Sequence, residues 1–215
     1  TFDGTATISI GDITADFSSV KADITPGTDC YKFYYTYLSK DLLDTKYTTD
    51  EAIRDYLLQS GNSSKTVATC SKTNMSPGDK GSICAIAIGK DGKAGNLVKK
   101  EANVKEVAYN NISLSIATTA DFTSLSYKIT ASNGTPTAYR YLNLTDSDLK
   151  NVYGNDEKKV ENALATKSGK VKEIAIADLS EGTLNIENLP IETQYNFFVM
   201  AVDAEDNVSK MFKAT

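Results

Sequence analysis

The stretch "ADFSS" at residues 15–19 returns as "ADFTS" at 120–124, and "YTTDE" at 47–51 returns as "YGNDE" at 153–157. Both pairs keep their order and nearly their spacing, so the chain is read as one unit written twice. Working outward, "TISI" at 7–10 lies over "SLSI" at 113–116, with one residue deleted before the next match. Phe33, Tyr35 and Tyr37 fall on Tyr139, Tyr141 and Asn143. Tyr47, Asp50, Glu51 and Leu58 fall on Tyr153, Asp156, Glu157 and Leu164. The offset is 105–106 until an insert around 170–182 in the second copy, then 114, where "AIGKDG" at 87–92 meets "AVDAED" at 201–206. A period near 100 exceeds the roughly 20–50 residues of solenoid repeats. The expectation is therefore two tandem domains of one fold, residues 1–106 and 107–215.

Within one copy, residues 5–10 alternate, with Ile8 and Ile10 on one face, as a half-buried strand does. "FSSVKADI" at 17–24 alternates again, and Pro26-Gly27 marks a turn. "YKFYYTYL" at 31–38 is an aromatic-rich strand suited to a pleated surface. Alternation sends Phe33, Tyr35 and Tyr37 to one face, the core, and Tyr34 and Leu38 to the other.

The period then changes to a helical one. Ser39 and Thr145 are placed to cap helices, and Thr145 has Asp148 three residues on. Leu149, Val152 and Tyr153 follow helical spacing, Gly154 stops that helix, and Asp156-Glu157 suit the positive end of a second. Its apolar positions are Val160, Ala163 and Leu164. The first copy repeats the scheme with Leu43 and Tyr47, then Ile53, Tyr56 and Leu57. Each copy thus carries a two-helix insert between strands. Strands resume in "KTVATCS" (65–71), "SICAIAI" (82–88), "LNIENL" (184–189) and "YNFFVMAV" (195–202). Many short strands with regular turn signals indicate antiparallel sandwiches.

Composition narrows the function. The 215 residues are 40% hydrophobic and 24% charged, with a net charge of −5. The cations are dispersed and only two are Arg, Arg54 and Arg140, so the clustered basic footprint of a nucleic-acid binder is missing. No apolar run is long enough to span a bilayer. No secretion leader is visible at the start, where "TFDGTATISI" already reads as a strand. Cys30, Cys70 and Cys84 form no CxxC pair and, being odd in number, no closed disulfide framework. They read as small buried hydrophobes. They could close one bridge at most, and the sequence does not choose the pair.

"LPIETQYNFFVMAVDAEDNVS" at 189–209 resembles the end of a fibronectin type III domain, where a Leu, a turn, a Thr and a Tyr precede an alternating strand. The resemblance implies that the Tyr195 hydroxyl bonds backbone at the corner between two sheets, and that Phe197, Val199 and Ala201 point inward. "MSPGDKGSICAIAIGKDG" keeps the turn and strand but has Gly81 where Tyr195 stands, which implies a missing corner bond in the first copy. The two-helix insert resembles a variant found in tandem surface lipoproteins of gut Bacteroidetes. That likeness implies an extracytoplasmic protein at the cell surface or in the periplasm, lipid-anchored upstream of residue 1. The expected fold class is mainly β: two tandem fibronectin type III-like antiparallel β-sandwiches, each with a short two-helix insert.

Candidate sites are few. There is no His, so His-based triads and the commonest metal ligand and general base are absent. Asp50 and Glu51 could act as paired acid and base, but their recurrence at helix starts is better explained by the helix dipole. The acidic loop 203–207 lacks the spacing and closing Glu of a calcium loop, and its counterpart "GKDGK" carries lysines, so it reads as a solvated hairpin. The aromatic strand at 31–37 is a core strand before it is a sugar platform, and the chain has no Trp. Sandwiches of this kind bind through end loops. The candidate ligand loops are therefore the hairpins 89–96, with Lys90, Asp91, Lys93 and Asn96, and 203–209, with Asp203, Glu205, Asp206 and Asn207.

These readings favour a non-catalytic binding or adhesion module for a protein or glycan. It is expected to be monomeric, with no cofactor, no metal, no nucleic-acid partner and membrane attachment only through the upstream anchor. The alternatives are a structural spacer for other domains and a hydrolase using carboxylates or a Ser/Lys pair.

Overall fold

A computed structural model describes residues 3–191 and 193–214. The chain forms two compact units, Thr1–Glu106 and Val107–Thr215. It is mainly β, with two antiparallel sandwiches that each carry a two-helix insert.

In the first unit, β1 (Ile8–Ile10) and β2 (Thr14–Ala15) pair with opposite ends of β3 (Val20–Pro26), and β6 (Ala68–Lys72) pairs with its other edge. The facing sheet runs β5 (Asn62–Ser64), β4 (Cys30–Ser39), β7 (Gly81–Gly89), β8 (Ala94–Glu101). Between β4 and β5 lie α1 (Lys40–Thr45) and α2 (Asp50–Ser60).

The second unit repeats the plan. One sheet is β13 (Thr183–Ile186), β10 (Leu125–Ser132), β9 (Ser113–Ala120). The other is β12 (Lys172–Ala175), β11 (Ala138–Thr145), β14 (Tyr195–Val202), β15 (Phe212–Ala214). Its insert is α3 (Asp146–Tyr153) and α4 (Glu157–Thr166), and a 3₁₀ turn spans Ile176–Asp178.

Each unit has two apolar cores, one on each face of the sheet that carries the helical insert. β7 sends Ile83, Ala85 and Ala87 between the sheets, where they meet Val20, Ala22, Ile24 and Phe33. It sends Cys84 and Ile86 outward to Leu38, Ile53 and Leu57 under the helices. β14 does the same, with Phe197, Val199 and Ala201 facing inward and Phe198, Met200 and Val202 under α3 and α4. A strand covered on both faces must be apolar at successive positions, which is why "CAIAI" and "FFVMAV" do not alternate. Tyr34 packs on the helix side and Phe33, Tyr35 and Tyr37 on the sandwich side, as alternation requires. The three cysteines are free thiols. Burial pushes Cys70 up to about 11 and Cys84 up to about 12, so both stay protonated and unreactive.

The insert helices are held by local chemistry. Ser39, Thr49, Thr145 and Asp156 each accept a backbone N–H of the first turn. Gly154 closes α3 with φ +66°, a left-handed position that glycine adopts without strain.

Three details differ from the sequence reading. First, β3 begins at Val20 rather than at 17. The Asp16 carboxylate accepts the backbone N–H of Ser18 and Ser19, both at 2.7 Å, so 16–19 is a turn. The repeated "ADF(S/T)S" is turn chemistry.

Second, the helices slip by one residue against the alignment. Thr49 caps α2 and Asp156 caps α4, so Leu57, fully buried, corresponds to Leu164, and Leu58 is exposed. The extra residue in the second unit is absorbed where Gly154 turns the chain.

Third, the 170–182 stretch holds β12 and the 3₁₀ turn. β12 and its counterpart β5 are short edge strands of four and three residues, too brief to show a period. Thr1 and Phe2, at the head of the first strand reading, lie outside the described residues.

Candidate functional site

The β7–β8 hairpin of the first unit is tightly built. Gly89 N donates to Lys93 O and Gly92 N to Gly89 O, each at 2.9 Å, and Gly92 sits at φ +78° in open space. The Asp91 carboxylate accepts Lys93 N at 3.0 Å. Lys90, Lys93 and Asn96 are exposed, and their side chains have no hydrogen bond or ion pair among the described residues. Of the residues expected to bind through this loop, Asp91 shapes it while Lys90, Lys93 and Asn96 project from a fixed frame.

The 203–207 hairpin of the second unit is spent differently. Asp203 accepts the backbone N–H of Glu205 (3.0 Å) and Asn207 (2.9 Å) and the Asn207 amide (3.2 Å). Burial opposes its charge, yet these donors together hold its carboxyl below the ordinary range. Asp206 turns back, at φ +64°, onto the guanidinium of Arg140. Only Glu205 remains exposed and uncommitted. Among the described residues no group of three or more acidic or thiol side chains could hold a metal ion.

Arg140 was visible in the sequence as one of two arginines, but its role was not. It is 5% exposed on the helix side of β11. Its Nε donates to Glu173 at 2.7 Å, one Nη to the Ala165 carbonyl at 2.9 Å and the other to Asp206. Glu173 also accepts Lys167 Nζ at 2.7 Å. Lys167 first, then Arg140, holds the Glu173 carboxyl below its usual range. One buried cation thus ties the end of α4, the edge strand β12 and the 203–207 loop to β11. The available signal was a charge in "AYRYLNL" on the apolar face of a strand, which demands partners.

The corner expected at Tyr195 is not made. Its hydroxyl has no hydrogen bond among the described residues. The bond at this end of the sandwich belongs to Tyr127, whose hydroxyl donates to Asn143 Oδ1 at 2.8 Å. The Tyr127 ring stacks on Phe197, with centroids 3.8 Å apart and planes 11° apart. Burial raises the Tyr127 phenol to about 12. In the first unit the same place holds Tyr37, whose hydroxyl is buried without a partner beside Gly81.

The carboxylate pair Asp50/Glu51 opens α2, and Asp50 pairs with Lys99 of β8 at 2.7 Å. That is the arrangement of a helix start pinned to its sheet. No helix among the described residues is long and apolar enough to cross a membrane.

No protein-family model matches the chain, and no curated protein matches it. Among solved structures, a two fibronectin type-III domain segment from chicken tenascin is similar over 97% of this chain and 95% of that one, at 11% identity and a TM-score of 0.29. A likeness at that score bears no weight; the sandwich architecture rests on the strand pairing itself.

Proposed function

We propose that the chain is a non-catalytic binding module that takes a protein or glycan through the β7–β8 hairpin of its first unit. The observation that supports this is the hairpin's construction. Its backbone is closed by its own hydrogen bonds and by Asp91, while Lys90, Lys93 and Asn96 extend into solvent with no protein partner among the described residues. A turn already closed by its own hydrogen bonds has little backbone entropy left to lose on binding, so only the side chains need ordering. The reading includes a monomeric, extracytoplasmic protein held at the cell surface by an upstream lipid anchor, which the resemblance of the two-helix insert supports.

The test is a screen of the purified chain against glycan and extracellular-protein panels, repeated with the triple variant Lys90→Ala, Lys93→Ala, Asn96→Ala. A hit lost in the triple variant at unchanged melting temperature supports the reading. Hits that the triple variant retains in full count against the hairpin. Surface labelling of intact source cells tests the location, and labelling only after lysis would refute it.

A second reading, a structural spacer, is favoured for the second unit by a specific observation. The equivalent hairpin there spends Asp203, Asp206 and Asn207 on its own closure and on Arg140. A chain that meets both panels without a hit would make that reading the better one for the whole protein.

A further inference from the structure

The second unit has a groove that none of the loops above includes. A hollow of about 210 Å³ is lined by Tyr141, Asn143, Asp148, Lys170 and Tyr195, among others. A second, of about 270 Å³, adjoins it through Leu189 and Tyr195 and reaches the hairpin tip at Phe122, which is 83% exposed. Together they fall in the lower part of the roughly 300–1,000 Å³ range of small-ligand sites.

The polar groups along this groove are largely unspent. The hydroxyls of Tyr141 and Tyr195 have no hydrogen-bond partner among the described residues. Asn143 accepts from Tyr127 through Oδ1, and its Nδ2 is left over. Asp148 takes the Thr145 hydroxyl on one oxygen, while its other oxygen lies 3.9 Å from Lys170 Nζ, too far for a hydrogen bond. The groove therefore offers unspent donors at Tyr141, Tyr195, Asn143 and Lys170 and a carboxylate acceptor at Asp148. The first unit does not repeat this set: Tyr37 stands for Asn143 and Gly81 for Tyr195.

We infer that this groove is a binding site for a short oligosaccharide. A pyranose has an apolar C–H face that stacks on aromatic rings, and hydroxyls that both donate and accept. Phenols, an amide, an ammonium and a carboxylate, with the open ring of Phe122 at the far end of the groove, match both properties at once. An extended peptide would need main-chain partners instead, which the outer edges of β12 and β13 would supply, whereas the unspent groups of the groove are side chains. The inference rests on the binding-module reading, extends it from the hairpin of the first unit to the second unit, and stands against a spacer role for that unit.

The experiment is a titration of the ¹⁵N-labelled whole chain with a panel of neutral and uronic tetrasaccharides at millimolar concentration, followed by amide NMR. At least one member should shift the Asn143 side-chain amide and the Tyr195 backbone amide. The double variant Tyr141→Phe, Tyr195→Phe should weaken that sugar about tenfold or more, because two donor hydroxyls are lost, while the melting temperature stays unchanged. Silence at Asn143 across the panel overturns the inference, as does a double variant that binds within about twofold of the parent. So does an extended peptide that shifts β12 or β13 where no sugar shifts Asn143. A silent groove in a chain that still binds through Lys90 and Lys93 removes this site and leaves the binding-module reading standing.

Discussion

The two units solve one packing problem in opposite ways. At the end of the sandwich where the insert begins, Ser39 pairs with Gly81 in the first unit and Thr145 with Tyr195 in the second. Two residues earlier on the same strand, the first unit has Tyr37 and the second Asn143. The facing strand brings Ala22 into the core that holds Ile83 in one, and Tyr127 over Phe197 in the other. Each unit fills the space, but the bulk enters from different strands. A Cβ on Gly81 would collide with the Tyr37 hydroxyl and the Leu38 carbonyl. Close packing is conserved between the copies while the residue that supplies it is not. The polar outcome differs as well: Tyr127 finds Asn143, whereas the Tyr37 hydroxyl is left buried and alone.

The largest expected effect tests what the units share. Leu57→Asp and Leu164→Asp each put a carboxylate into a fully buried site under the insert. Each should cost its own unit about 4 kcal/mol or more. Chemical denaturation monitored by unit-resolved hydrogen exchange would show the loss. A variant of either kind with parental protection would mean its helix does not depend on that contact.

Next comes the difference itself. Gly81→Ala should cost the first unit about 2–3 kcal/mol by overpacking against Tyr37 and Leu38. Tyr195→Phe should leave the second unit within about 0.5 kcal/mol, since its hydroxyl holds nothing together. If Gly81→Ala proved harmless, or Tyr195→Phe costly, the exchange of bulk between strands would be the wrong account.

A feature of the second unit alone ranks third. Arg140→Ala should destabilise it by about 2–3 kcal/mol, because Glu173 and the Ala165 carbonyl lose a buried donor. The Glu173 carboxyl is held low in the folded state, so its contribution is present above the ordinary Glu value and is lost as pH falls through the lowered one. The gap between parent and Arg140→Ala should be steady at neutral pH and narrow below about pH 4. Urea melts at neutral and acid pH would measure it, and a gap that widened in acid would contradict the pairing.

The smallest effects sharpen the comparison of hydroxyls. Tyr127→Phe should cost about 1 kcal/mol by orphaning Asn143, and Tyr37→Phe should cost nothing or stabilise slightly, since no bond is lost. Equal losses in both would show that Tyr37 has a bound partner.

Much of the fold was legible because its causes are local. The strand alternation through Phe33, Tyr35 and Tyr37, the caps at Ser39 and Thr145, the stop at Gly154 and the two-helix insert all follow from neighbours within a few residues. The double coverage of β7 and β14 lay in their unbroken apolar runs, but the expectation of an alternating strand at 195–202 passed over it. β5 and β12 were not legible, because three or four residues carry no period. The one-residue slip of the helices escaped the alignment because the "DE" identity is stronger than the cap that sets the phase.

The binding surfaces were legible only as loops. Lys90, Lys93 and Asn96 are free because the turn closes without them, whereas Asp203, Asp206 and Asn207 are consumed by partners that local sequence does not reveal. Sequence alone determined a duplicated, mainly β chain with capped helical excursions, since backbone propensity and burial pattern are written residue by residue. Tertiary structure alone decided that Arg140 gathers Ala165, Glu173 and Asp206, that Tyr195 lines a groove instead of closing a corner, and that Gly81 must be small. Each of these depends on what lies across the fold at a distance of a few ångströms and tens of residues away in the chain.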